Sequence, residues 1–147
     1  NIYGPRMGLS HVVPELLQKV YKLNRQQLEV ASPGHSRAMC YVSDAVETVK
    51  RLLKSDKSLN GTFNVGNENT EITIGKLAQI IVDAVGKPVE IVFTADTPGS
   101  PLRRCPDMTK TIGVTGFVPS VSVVDGVRGT FEWYRENVFD REGISAL

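Results

Sequence analysis

Helix-forming and strand-forming runs alternate along this chain, and that alternation restricts its fold more than any other feature. Val13, Leu16, Leu17 and Val20 recur at helical spacing within residues 12–23, so one face of that helix is apolar. Pro14 falls in the first turn, where its missing N–H costs nothing, and Ser10 is placed to cap. Gln27–Ala31 (QLEVA) then alternates polar and apolar, as a half-buried strand does. Residues 32–36 (SPGHS) are a loop by composition and residues 38–42 a strand. Asp44 with Glu47 forms a capping pair that opens a helix to about Lys54, with Val46, Val49, Leu52 and Leu53 as its expected buried stripe.

The same alternation continues. A turn at Asn60-Gly61 leads into an expected strand over 62–65, ended by Gly66. Thr73 caps a third helix whose core positions are Leu77, Ile80, Ile81, Ala84 and Val85, and Gly86 stops it. A strand over 89–95 precedes a loop over 96–107 with three prolines and two adjacent arginines. The last helix opens at Ser122, paired with Asp125, and runs to about Val138, with Val124, Val127, Phe131 and Tyr134 inward. Residues 139–147 (FDREGISAL) read as a loosely held tail. Interleaved elements of this kind argue for an α/β layer structure.

The strands are few and short for a free-standing doubly wound domain. The first residues, NIYGPR, also read as the end of a strand already under way, followed at once by a Gly4-Pro5 turn. Both features lead to the expectation that the chain is the back part of a larger enzyme. A net charge of +1 gives no electrostatic argument for nucleic acid or an anionic membrane. No apolar run approaches the ~18 residues that span a bilayer, and no signal peptide is visible, so the expected compartment is the cytoplasm. Cys40 and Cys105 match no metal spacing and read as two reduced thiols.

Four landmarks stand in order: NIYGPR, RAMCYVSD, TFNVGN and PLRRCPD. In this order and spacing the chain resembles the C-terminal half of the extended short-chain dehydrogenase/reductases, the NAD(P)-dependent nucleotide-sugar epimerases, 4,6-dehydratases and UDP-glucuronate decarboxylases. The resemblance runs from Asn1 to about Asn137. It implies an α/β fold made of the C-terminal part of a Rossmann-type protein, an incomplete sheet plus a small substrate-binding α/β subdomain. Residues 1–147 would be the substrate-binding portion, with the last Rossmann elements at about 38–66 and the NAD-binding half outside this chain. The implied cofactor is NAD, held mainly by that other half. The implied partner is a UDP-, dTDP-, CDP- or GDP-sugar, with no nucleic acid and no membrane, and the parent enzyme is expected to be a homodimer.

The family's G-x-x-G-x-x-G phosphate loop does not occur in these residues. No Tyr is followed four residues later by Lys, the family's acid/base pair: Tyr3, Tyr21, Tyr41 and Tyr134 are followed by Met7, Arg25, Ala45 and Val138. The chain alone is therefore expected to be inactive, with no catalytic residue of its own. PLRRCPD looks most like the decarboxylase and general epimerase branches, which leaves lyase and isomerase chemistry both open.

The resemblance carries over to particular residues. Arg37 matches an arginine on the sugar nucleotide's phosphates, a task for which a planar guanidinium suits better than an ammonium. Arg104 matches the family's pyrophosphate arginine, while its neighbour Arg103 reads as a solvent charge. Asn1 matches a substrate-binding asparagine, and its amide offers both donor and acceptor. Leu28 and Val30 lie on the strand whose backbone usually reads the nucleotide base, with Val13 on the helix packing over it. The sequence departs from the family here, because the aromatic residue that flanks the base is missing. His35 lies beside Arg37 within reach of a ligand, and Asp44 is better explained as a cap than as an acid. Cys105, next to Arg104, reads as a passive thiol whose pKa that arginine would lower. The alternative is a non-catalytic nucleotide-sugar-binding module that has lost the cofactor half; a weaker one is an interaction domain without a ligand.

Overall fold

The computed structural model describes residues 1–23 and 27–141. Its elements in chain order are β1 (Ile2–Tyr3), α1 (Val12–Lys22), β2 (Gln27–Ala31), β3 (Ser36–Ala38), β4 (Cys40–Tyr41) and α2 (Val42–Leu53). There follow β5 (Glu71–Thr73), α3 (Ile74–Val85), β6 (Glu90–Thr94), β7 (Arg103–Arg104), α4 (Thr109–Thr115) and α5 (Val123–Tyr134). The strands form small sheets: β1 pairs parallel with β4, β2 parallel with β6, and β3 lies between antiparallel β5 and parallel β7. The expected α/β class is what the molecule shows.

Helices α1, α3 and α5 pack on one another, with α3 against the β2–β6 pair. Leu17, Val20, Leu28, Leu77, Ile81 and Val127 fill the space between them and are almost wholly buried. The sequence signals for α3 hold. Thr73 Oγ1 accepts from the Lys76 N–H, and Gly86 ends the helix at φ 73°, a conformation that costs a residue with a Cβ. Ser122 likewise caps α5 by accepting from the Asp125 N–H. Helix α1 starts after His11 without a side-chain cap, so Ser10 does not play the expected role.

Helix α2 departs most from expectation. Val46, Val49 and Leu53 are exposed, and the buried positions are Asp44, Ala45 and Thr48. Its apolar stripe has no covering element among the described residues, so amphipathic spacing alone pointed to the wrong face. Asp44 is no N-cap of α2 either, since Tyr41 holds that position. Its Oδ2 instead accepts from the Ser120 and Val121 N–H groups, both at 2.9 Å, and ties α2 to the chain entering α5. The stretch 62–65 forms no strand, because no neighbour supplies a ladder. The strand expected over 38–42 breaks at Met39 into the ends of β3 and β4.

The end of α5 differs as well. After Tyr134 the backbone widens into a π-helical turn, Arg135–Phe139, where the sequence reads as continuous α-helix. The extra residue turns Phe139 inward, where it stacks on Tyr21 and Tyr134 with centroids 5.3 and 5.6 Å apart. Phe139, expected in the tail, is thus core, and residues 142–147 lie outside the described residues. Val124, expected inward, is exposed, whereas Val127, Phe131 and Tyr134 are buried. Near the start of α5 the helix has no side chain at Gly126, and the ring of Tyr3 occupies the gap, edge-on to Tyr41.

Candidate phosphate-binding site

Strand β3 places Arg37 beside Arg104 of β7, its register partner. Arg37 is only 9% exposed. Its Nη1 donates to the Ser36 carbonyl at 2.7 Å and its Nη2 to Ser100 Oγ at 2.9 Å. No carboxylate pairs with it among the described residues. Burial, and then the positive charge of Arg104, lower its pKa from the ordinary arginine value. A buried cation without a counter-charge is costly, and an anion arriving there recovers that cost. The Arg104 side chain is exposed and makes no hydrogen bond or ion pair among the described residues, so its guanidinium has its donors unused.

Asn1 lies at the same end of β3. Its amino nitrogen donates to the Ala38 carbonyl at 3.1 Å, and its own carbonyl accepts from the Cys40 N–H at 2.9 Å. Asn1, Arg37 and Arg104, about a hundred residues apart at the extremes, therefore meet along β3.

Arg103 behaves differently from its neighbour. Its Nε and Nη2 grip the two oxygens of Glu71, both at 2.8 Å, and Ser36 Oγ donates to the same carboxylate at 2.6 Å. It is paired rather than a free solvent charge, and alternation along β7 leaves Arg104 to the other face. The Cys105 thiol pKa is raised, by burial and then by Glu71, as a passive thiol's would be, and is not lowered by the neighbouring arginine.

The remaining expected residues stand apart from this corner. Val13, Leu28 and Val30 have their side chains in the core, at 0%, 2% and 2% exposure. Burial closes the Val13 side chain to any ligand, and Leu28 and Val30 have only main chain to offer one. A cleft of about 390 Å³ does open between α1 and the ends of β2 and β6. Val12, Glu15, Lys19, Glu29, Thr94 and Thr97 form part of its wall. It is roomy enough for a heterocyclic base.

Sequence reasoning missed the partners of His35. The imidazole is 3% exposed. Its Nδ1 lies 3.3 Å from Ser100 Oγ and its Nε2 3.5 Å from Asp96 Oδ2. The adjacent loop is pinned to the same segment elsewhere: the Thr97 N–H donates to Ser32 Oγ at 2.8 Å and the Ser36 N–H to the Leu102 carbonyl at 2.8 Å. Serine, proline and glycine in that loop signalled only a turn, with nothing to announce which residues it touches.

The chain matches UDP-glucuronic acid decarboxylase 5 of Arabidopsis thaliana at 35% identity over 130 residues, 86% of this chain and 37% of that protein. Its homologues are extended short-chain dehydrogenase/reductases. Another of these relatives is the dTDP-glucose 4,6-dehydratase of Streptomyces niveus, 32% identical over 139 residues, 93% of this chain and 40% of that protein. The fold agrees with that of the extended reductases. The UDP-glucuronic acid 4-epimerase of Bacillus cereus, in complex with UDP-4-deoxy-4-fluoro-glucuronic acid and NAD, superposes with a TM-score of 0.81 at 19% identity, over 92% of this chain and 43% of that one. This chain thus spans less than half the length of these extended reductases. No family model matches it. No helix among the described residues is long and apolar enough to cross a membrane.

Proposed function

We propose that this chain is the substrate-holding portion of an NAD-dependent enzyme that modifies a nucleotide sugar by epimerisation, dehydration or decarboxylation. The observation that carries the reading is Arg37, nine-tenths buried with no carboxylate partner among the described residues and set beside Arg104. Two adjacent guanidiniums suit a diphosphate, which offers several anionic oxygens to bidentate donors. In this reading Arg37, Arg104 and Asn1 hold the diphosphate, and the cleft along α1 takes the base, with Val30 at its edge and Leu28 packed behind it in the core. These two relatives support the substrate class, since by name one is a UDP-glucuronic acid decarboxylase and the other a dTDP-glucose 4,6-dehydratase.

NAD is present in the Bacillus cereus structure, and the glycine-rich turn that would take its pyrophosphate is not among the described residues. The helices begin after His11, Tyr41, Thr73, Met108 and Ser122, and none opens from a glycine-rich turn that would let backbone N–H groups reach a pyrophosphate. No redox step is therefore assigned to these residues. Their contribution is orientation: binding energy from the nucleotide part of the substrate fixes the sugar for chemistry performed elsewhere in the protein.

Calorimetric titration of the chain with UDP and with uridine tests this. UDP is expected to bind and uridine to bind far more weakly, because uridine lacks the charge that the arginines recognise. Arg104→Ala, at an exposed position, is expected to weaken UDP about 10- to 100-fold, the scale of a lost charge-assisted contact. Equal affinity for uridine and UDP, or an Arg104→Ala chain that binds UDP as the parent does, would refute the reading.

A further inference from the structure

Arg37 is held from one side by its own strand and from the other by a loop distant in sequence. The Ser36 carbonyl receives Nη1, and Ser100 Oγ receives Nη2. Ser100 in turn lies 3.3 Å from Nδ1 of the buried His35, whose Nε2 is 3.5 Å from Asp96. With the imidazole proton on Nε2 the donors run one way. Arg37 donates to Ser100, Ser100 donates to His35 Nδ1, and the Nε2 proton faces Asp96 Oδ2 as an ion-pair neighbour. Each hydroxyl or ring atom in that series then has a role that does not conflict with its neighbour's.

We infer that Ser100 and His35 are positioning residues for Arg37, fixing the plane in which its guanidinium meets an anionic ligand. The inference rests on the diphosphate reading for what the arginine is held toward. The physical reason is that a guanidinium with one bonded Nη still pivots about its side chain. A second anchor on the other Nη sets the orientation of the whole planar fork. Ser100 is that second anchor, and His35 fixes the direction of its hydroxyl. The 96–102 loop is therefore part of the site although none of its residues need touch the ligand. Gly99, at φ 77°, gives the loop the left-handed turn just before Ser100.

The measurement is made first on the ligand-free chain, by nitrogen-detected NMR of the Arg37 side chain. Slow rotation about the guanidinium is expected to give separate Nη1 and Nη2 signals in the parent. Ser100→Ala is expected to merge them, Ser100→Thr to keep them apart, and His35→Gln to speed the exchange. UDP titration follows. Ser100→Ala is expected to lower affinity about three- to tenfold, the scale of one net hydrogen bond. No further loss is expected when Ser100→Ala is added to Arg37→Lys, since the anchored group is gone.

Arg37 signals already merged in the parent, or unchanged by Ser100→Ala, would overturn the inference. So would an equal loss of UDP affinity from Ser100→Ala in the Arg37→Lys background, because Ser100 would then act on the ligand directly. Separate signals that merge in Ser100→Ala, in a parent that fails to bind UDP, would uphold the positioning role and refute the diphosphate reading. The Ser100→Ala and Ser100→Thr chains should each unfold in a single cooperative transition as the parent does, Ser100→Ala with a lower midpoint for the unpaired Nη2, so a fold defect in either would be visible.

Discussion

Gly126→Ala tests the packing of the first strand against the last helix. A Cβ built at Gly126 would lie 2.1 Å from Tyr3 Oη, 2.8 Å from Tyr3 Cζ and 2.9 Å from Tyr41 Cδ2. The Tyr3 ring is 1% exposed and its hydroxyl donates to the Val123 carbonyl at 3.3 Å, so it has little room to retreat. Helix propensity favours alanine by about 1 kcal/mol. Overpacking costs about 1–3 kcal/mol, and displacing the hydroxyl loses about 1 kcal/mol more. The clash wins, with a net loss of about 1–3 kcal/mol. Urea unfolding followed by the fluorescence of Trp133, which lies within α5, reads the effect. Tyr3→Phe removes the nearest clashing atom, so it should cost less in the Gly126→Ala background than alone. Gly113→Ala, in α4 with open space around the new Cβ, should instead stabilise by up to about 1 kcal/mol. A Gly126→Ala chain as stable as the parent would sink the argument.

Two further expectations concern titrating groups. Hydrogen bonds from Arg103, then from Ser36, hold the Glu71 carboxyl at about 2, below its ordinary 4.5; its contribution is therefore present above the ordinary value and lost as pH falls toward about 2. A carbon NMR titration should show that low midpoint and its return upward in Arg103→Ala, and an unmoved midpoint would refute the pairing. Burial, and next Asp44, push the Cys40 thiol up to about 11, while Cys105 is only partly buried. Iodoacetamide at pH 8 should alkylate Cys105 well before Cys40 in the native chain, and equal rates would contradict the described burial.

The sequence was most legible where a local rule decides structure. Thr73 and Gly86 mark the ends of α3 through their own backbone chemistry, and the alternation of QLEVA matches the alternating burial of β2. It misled where the deciding partner is remote in sequence. The stripe of α2 has helical spacing, yet the neighbours that decide burial contact the side of Asp44, Ala45 and Thr48. Asp44 has the spacing of a cap but serves N–H groups 76 and 77 residues away. Within the candidate site, Arg37 and Arg104 could be named from motifs alone. Ser100 could not, because its meeting with His35 and Arg37 depends on how β3 and β7 lie side by side. The wide turn after Tyr134 was equally silent, since Arg135–Phe139 has ordinary helical composition.

The uncompensated guanidinium of Arg37 has a consequence for how firmly the chain stays folded. An anion that occupies this corner only in the native state adds to stability by mass action, about 2.7 kcal/mol at a hundred times its dissociation constant. Inorganic phosphate carries charge of the same sign as the proposed ligand and is a common buffer. If the corner takes an anion as proposed, the unfolding free energy is set jointly by the chain's residues and by the anion activity around it, and values in phosphate and in a cationic buffer should differ accordingly.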